Sequence, residues 1–216
     1  MIKAINEPIK DYLPDSSEKK SIKKQLDKMS NECIDIPIII GGKEIRTNNL
    51  GACVMPHNHQ HILAHYHKAS SKEVNMAIEN LLETWKSWSN TSVEFRIQVF
   101  QKMAQLLQGP YRDIINAATM LGQSKNIFQA EVDSACELID FFNFNCQYAQ
   151  EIYNSQPCIS PEGFKNYLQY RPLEGFIFAV TPFNFTSIAA NLPSAPALMR
   201  NVSIWKPASS SVYSGY

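Results

Sequence analysis

The first third of the chain alternates short apolar runs with turn residues, after a polar, lysine-rich beginning. Within residues 1–30, the stretch KKSIKKQLDKM predicts a short solvated helix. The apolar run from Ile36 to Arg46 is interrupted by Gly41 and Gly42, and this pattern predicts a β-hairpin that turns at the two glycines. Short strands are expected to continue through ACVMP and HILAHYH.

The hydrophobic pattern becomes helical at Ser70. Ser70 and Glu73 have the spacing of a capping box, and apolar residues follow at helical intervals. Further helices are predicted from Val93 to Gln108, from Tyr111 to Leu121 and over residues 127–154. The last of these helices is expected to bury one face, formed by Phe128, Val132, Ala135, Ile139, Phe142 and Cys146.

Extended segments return towards the C-terminus. FKNYLQYRP, from Phe164 to Pro172, predicts a strand, and the apolar run from Gly175 to Val180 predicts a parallel strand buried on both faces. A helix over about residues 187–199 and a second parallel strand, NVSIWKP, complete the pattern. Strands, then helices, then the opening of a βαβ unit indicate the α/β class.

Composition excludes several functional classes. A hydrophobic fraction of 44% in 216 residues is ample for a buried core. Twenty basic residues balance twenty acidic ones, which argues against nucleic acid or an anionic membrane as a partner. No apolar run approaches the roughly 20 residues that span a bilayer. The beginning of the sequence lacks the features of a signal or transit peptide.

The histidines and cysteines offer candidate chemistry but favour a structural interpretation. His57, His59 and His61 alternate, so on a strand they would share one face and could bind zinc or copper. No accompanying carboxylate or thiolate is evident, and we expect an exposed polar face and no metal site. The five cysteines are scattered without a CxxC pair, which is typical of free thiols in a reducing compartment. Cys136 and Cys146 are predicted to be small core residues of a helix.

Two predicted strand ends carry the strongest candidate site. The carboxyl ends of parallel strands line the ligand crevice of open α/β sheets, and here they would present Asn184 and Lys206. An amide N–H at this place could stabilise an oxyanion, and an ammonium could hold a ribose hydroxyl or a phosphate. No GxGxxG motif occurs. The spacing alone therefore leaves open a second interpretation, a structural asparagine and a surface lysine.

The motif PFNFT followed by NLPSAPALMRNVSIWKP resembles the aldehyde dehydrogenase superfamily. PIIIGGKEIRT, VMPHNHQHILAHYHKAS, LGQSKNIFQAEVDSACELIDFFNFN and RPLEGFIFAVTPFNFT resemble its 1-pyrroline-5-carboxylate dehydrogenase branch. The resemblance runs from about Asn6 to Lys206. It implies NAD-dependent oxidation of L-glutamate γ-semialdehyde, a small-molecule aldehyde, to L-glutamate in proline catabolism. It also implies the mitochondrial matrix, although a cytoplasmic location stays open because no transit peptide is visible.

The resemblance assigns roles to four residues. Asn184 matches the asparagine whose side-chain amide contributes to the oxyanion hole, and Lys206 matches the lysine that binds the adenosine ribose. Thr181 and Phe183 match positions that lie against the cofactor, although the branch usually has serine where Thr181 stands. Pro193 is a second departure, and it predicts either a kinked helix or a helix that effectively begins near Pro193.

The same resemblance divides the chain into four parts. Residues 1–35 form an N-terminal arm, and residues 36–156 form the strands and helices of the NAD-binding domain. Residues 157–172 match a β-flap used for oligomerisation, which implies a homo-oligomer. Residues 173–216 open an incomplete Rossmann-like parallel sheet.

The family's glutamate base and cysteine nucleophile lie in a later part of a chain more than twice this long. None of the five cysteines matches the nucleophile. We therefore expect an N-terminal fragment that does not complete the reaction alone. The alternatives are a non-catalytic short product that associates with full-length subunits and, with less support, a separate nucleotide-binding module.

Overall fold

The N-terminal region of the computed structural model, which describes residues 3–216, is an extended arm followed by helix α1 (Ser17–Ser30). The Ser16 hydroxyl accepts a hydrogen bond from the Lys19 amide and caps this helix. The sequence pattern predicted a solvated helix, but α1 buries one side chain: Ile22 packs beside Tyr12 and Ala117.

The predicted hairpin and the predicted short strands after it are formed, and they lie in two small sheets. Strands β2 (Ile38–Ile40) and β3 (Lys43–Ile45) form the hairpin, and both intervening glycines have positive φ, which their missing side chains permit. The other sheet has the order β1-β5-β4. Its strands are β1 (Ile34–Ile36), β4 (Leu50–Met55) and β5 (Asn58–His67).

The predicted helices form the centre of the molecule. Helix α2 (Ser71–Trp88) begins with the predicted capping box of Ser70 and Glu73. The other central helices are α3 (Val93–Gln108), α4 (Arg112–Gln123), α5 (Ile127–Ala130) and α6 (Glu137–Asn154). The core between α3 and α6 includes an edge-to-face pair, Phe100 and Phe142, with ring centroids 5.6 Å apart.

A π-helical segment, Glu131–Cys136, joins α5 to α6 in one continuous rod. The predicted buried face holds for Ala135, Ile139, Phe142 and Cys146, but Phe128 is 64% exposed. The wider π turns hold more residues per turn than an α-helix, so residues before them rotate away from the face that follows. The prediction for Phe128 was therefore wrong.

The C-terminal βαβ unit is present. Strands β6 (Ile177–Val180) and β7 (Ser203–Lys206) are parallel, and helix α7 (Thr186–Leu198) connects them. Helix α7 starts at Thr186 and continues through Pro193, so the interpretation that it begins near Pro193 is wrong. A 3₁₀ turn (Ser209–Ser211) and helix α8 (Val212–Gly215) end the chain.

Strand β6 is not buried on both faces, contrary to the sequence prediction. Phe178 is 60% exposed and Val180 is 58% exposed. The cause is the size of this sheet, since β6 and β7 are its two strands in the described chain and nothing covers the outer face of β6.

The predicted strand from Phe164 to Pro172 is not formed. Residues 155–176 contain no strand in the described chain, because no neighbouring strand offers a hydrogen-bonding edge. Single contacts hold this segment instead. The Trp85 indole donates to the Leu173 carbonyl, and the Arg200 guanidinium donates to the Tyr170 carbonyl.

Candidate functional site

The carboxyl ends of β6 and β7 lie side by side, as the sequence predicted. Val180 is opposite Lys206 in the parallel register, and the Thr181 amide donates to the Lys206 carbonyl at 3.2 Å. The Lys206 side chain is exposed, and within residues 3–216 its ammonium has no hydrogen-bond or ion-pair partner. An unpaired cation at this edge is free to meet a ligand.

Thr181 lies below the surface of this edge. It is 5% exposed, and its hydroxyl accepts a hydrogen bond from the Trp205 indole at 2.9 Å. Its own hydroxyl hydrogen remains available to an acceptor. The hydrogen bond from Trp205 links the end of β6 to β7 and fixes the start of the turn that follows β6.

The turn between β6 and α7 carries Phe183 and Asn184. Phe183 is 63% exposed, and Asn184 is also exposed. In the described part of the chain the side-chain amide of Asn184 has no hydrogen-bond partner. The structure therefore brings Thr181, Phe183, Asn184 and Lys206 to one edge, with an amide donor and a cation both unengaged.

Lys125 is a residue of this region that the sequence interpretation missed. Its ammonium donates to the backbone carbonyl of Asn184 and to a carboxylate oxygen of Asp133 at 2.7 Å. The same ammonium lies 4.4 Å from the centroid of the Phe185 ring. Lys125 and Asn184 are 59 positions apart, and no local pattern in the sequence signals their contact.

Hydrogen bonds between hydroxyl and amide groups anchor the start of α7. The Thr186 hydroxyl shares a 2.9 Å hydrogen bond with Thr119 and accepts another from Gln123 at 2.8 Å. The Ser187 hydroxyl donates to a carboxylate oxygen of Glu137 at 2.8 Å. These contacts fix the first turn of α7 against α4 and α6. The turn that carries Asn184 is therefore anchored at its C-terminal end.

Three of the five cysteines are buried thiols that are not activated as nucleophiles. Burial raises the pKa of the Cys53 thiol, that of Cys136 to about 12 and that of Cys146 to about 11. Thiolate is the nucleophilic form of cysteine, so these three side chains are unreactive at neutral pH. Cys33 and Cys158 are exposed and free. The prediction that Cys136 and Cys146 are core residues is confirmed.

His59 and His61 lie on β5, but His57 lies in the turn before it, so the three histidines do not share one strand face. There its imidazole forms a 2.8 Å hydrogen bond with the Ser124 hydroxyl. Between residues 3 and 216, no three His, Cys, Asp or Glu side chains are grouped in a way that could hold a metal ion. In the same range, no helix has the length and apolarity required to cross a membrane.

The sequence of this chain is similar to those of known enzymes. The chain is 46% identical over 212 residues to the mitochondrial delta-1-pyrroline-5-carboxylate dehydrogenase of Dictyostelium discoideum, covering 98% of the chain and 38% of the relative. It is 41% identical to the mitochondrial delta-1-pyrroline-5-carboxylate dehydrogenase of Homo sapiens, covering 100% of the chain and 38% of the relative. The chain thus spans well under half the length of the curated relatives that it matches.

Solved structures agree with the sequence comparison. The crystal structure of the delta-pyrroline-5-carboxylate dehydrogenase from Mycobacterium tuberculosis bound with NAD superposes with a TM-score of 0.95 at 43% sequence identity. That match covers 99% of this chain and 40% of the other. The α/β architecture is therefore part of the aldehyde dehydrogenase fold. Because the model of the aldehyde dehydrogenase family matches residues 45–216, most of its length, the chain belongs to that family.

Proposed function

We propose that this chain corresponds to the N-terminal part of an NAD-dependent 1-pyrroline-5-carboxylate dehydrogenase, which oxidises L-glutamate γ-semialdehyde to L-glutamate in proline catabolism. The observation that carries the proposal is the exposed, unpaired amide of Asn184 at the same sheet edge as the unpaired ammonium of Lys206. The names of the relatives support the substrate, and the structure of the Mycobacterium tuberculosis enzyme with NAD supports the cofactor.

Asn184 would act on the aldehyde oxygen. When a nucleophile adds to an aldehyde, negative charge develops on that oxygen, and a fixed N–H donor stabilises the charge more than it stabilises the neutral carbonyl. The Asn184 amide suits this role because it is exposed and has no partner among residues 3–216. The hydrogen bonds under the first turn of α7 keep the donor in place before the reaction begins.

Lys206, Phe183 and Thr181 are proposed to bind the cofactor. NAD, when bound, accepts the hydride from the substrate. The Lys206 ammonium would donate to ribose hydroxyls, and the exposed Phe183 ring offers apolar surface beside it. Thr181 would contribute through the strand end that it fixes to Trp205, with its hydroxyl hydrogen still available. These residues fit the polar and apolar parts of a dinucleotide.

This chain alone is proposed to be inactive. Its buried thiols have raised pKa values, and the chain covers only 38% of the relatives' length. We infer that the nucleophile and the base belong to the remaining length of such a protein. The names of several relatives support a mitochondrial location.

The test is a chimeric enzyme in which this chain replaces the matching part of the Mycobacterium tuberculosis enzyme, which superposes on 99% of it. NADH formation from L-glutamate γ-semialdehyde is measured. Asn184→Ala should lower kcat about 10²–10³-fold, the usual cost of losing one oxyanion donor. Asn48→Ala, at an exposed asparagine outside the site, is the matched control. An Asn184→Ala chimera with undiminished kcat would refute the assignment.

A second candidate function is association with full-length subunits of the same family, as a homo-oligomer or as a short partner. Residues 157–172 favour it because they form no ladder in the described chain and expose large apolar side chains. Ile159 is 80% exposed, Phe164 is 74% exposed and Tyr167 is 65% exposed. The 216-residue chain should then copurify with a co-expressed full-length relative. Replacing these three apolar residues with serine should abolish the copurification.

A further inference from the structure

Lys125 lies on a short connection whose backbone is fixed at both ends. Ser124 ends α4 in the left-handed region at φ 54°, and the Asn126 side chain caps α5 through the Gln129 amide. The backbone of Lys125 is therefore fixed by the end of α4 on one side and by the cap of α5 on the other. It is 14% exposed, which is low for a lysine.

Three groups from other parts of the chain hold the Lys125 ammonium. Asp133, in the π-helical segment, supplies the counter-charge at 2.7 Å, and the Phe185 ring lies 4.4 Å away. The third group is the backbone carbonyl of Asn184. Because Asp133 neutralises the charge, the net field that Lys125 adds at the site is small. The contacts with the Asn184 carbonyl and the Phe185 ring are then the main effects of Lys125 on this turn.

We infer that Lys125 is a positioning residue for Asn184, acting through the backbone carbonyl that its ammonium binds. A charge-assisted hydrogen bond fixes the plane of the peptide between Asn184 and Phe185. That plane restricts the ψ angle of Asn184 and so helps to fix the backbone from which the Asn184 side chain projects, since the two share one Cα. Without this hydrogen bond, water would donate to the Asn184 carbonyl instead, and the peptide could rotate. This inference rests on the proposed role of Asn184 as the oxyanion donor.

The chimeric enzyme described above provides the test. Lys125→Met keeps most of the side-chain length and removes all three donors. We expect kcat to fall about tenfold or more, because small misplacements of a catalytic group are costly. The KM for NAD should change less than twofold. Lys125→Arg, which keeps a cationic donor, should recover most of the lost kcat. Lys102→Met, at an exposed lysine of α3, is the matched control.

A double substitution separates positioning from general damage. If Lys125 acts through Asn184, adding Lys125→Met to Asn184→Ala should change kcat less than twofold further. A purely structural role would lower kcat by the same factor in both backgrounds, and that result would overturn the inference. Undiminished kcat in Lys125→Met alone would also overturn it.

The two proposals fail in different ways. If Asn184→Ala leaves kcat unchanged, the oxyanion role itself is wrong. If Asn184→Ala lowers kcat and Lys125→Met does not, only the positioning role is wrong. Should Lys125→Met prevent folding, Lys125→Gln is the second variant, because it keeps a polar side chain but removes the charge that strengthens the hydrogen bond to the Asn184 carbonyl. It should lower kcat about threefold, and an unchanged kcat contradicts the inference.

Discussion

Glu131 is a fully buried carboxylate whose charge is balanced almost entirely by one arginine. The Arg112 guanidinium, itself 2% exposed, donates to both oxygens of Glu131. The Lys10 amide and the Tyr12 hydroxyl, both from the N-terminal arm, also donate to Glu131, and so does the side-chain amide of Asn116. Burial raises the pKa of Glu131, but these hydrogen bonds outweigh it and hold the pKa below its ordinary value.

We predict that Glu131→Gln destabilises the chimeric enzyme by about 2 kcal/mol, because it removes one of the two carboxylates that pair with the buried Arg112 guanidinium and leaves Glu7 as the other. Urea unfolding followed by circular dichroism measures the change. Glu83→Gln breaks an exposed pair with Lys86, whose side chains are 74% and 68% exposed, and should change the free energy of unfolding by well under 1 kcal/mol. Equal effects of the two substitutions would contradict the prediction.

The same carboxylate gives a pH dependence with a defined sign. A depressed pKa in the folded state adds stability above the ordinary glutamate pKa of about 4.3. That stability is lost as the pH falls through the lower folded value of Glu131. Unfolding at decreasing pH should therefore show a smaller acid-dependent loss in the Glu131→Gln variant than in the unsubstituted protein.

Helices were the elements best predicted from the sequence, since their signals are local. The capping box at Ser70 and the stop at Gly109 set the ends of α2 and α3 as expected. The π segment had no such signal. This segment holds the buried Glu131 and Ser134, which form hydrogen bonds with Arg112 and Asn116 of α4. Phe128 was misplaced because this segment was not predicted.

Strands were less predictable because a strand depends on what lies beside it. The parallel pairing of β6 with β7 was predicted from two apolar runs joined by a helix. The segment from Phe164 to Pro172, by contrast, has the composition of a strand but no partner edge in the described chain. The residues of the candidate site likewise fall into those that the sequence predicted and one that it did not. Asn184 and Lys206 were predicted from strand ends, but Lys125 reaches the turn only through tertiary packing.

At the scale of the whole molecule, the described chain leaves apolar surface uncovered. The two-stranded sheet of β6 and β7 exposes Phe178 and Val180 on one face. An apolar face beside unpaired strand edges favours association with other chains. The relatives are more than twice as long, so further chain in them is available to cover this region. The 216-residue chain made alone should therefore associate.

We predict that Phe178→Lys lowers this association, because a charge on the exposed face of β6 opposes stacking and edge pairing. Light scattering and size-exclusion chromatography of the purified 216-residue chain should show at least severalfold less material in large species. Phe95→Lys is the matched control, since Phe95 is 49% exposed on the helix α3, which has no strand edge. If both substitutions reduce association equally, added charge is the cause and the face of β6 is not. If Phe178→Lys alone does so, that face is the surface through which the chain associates.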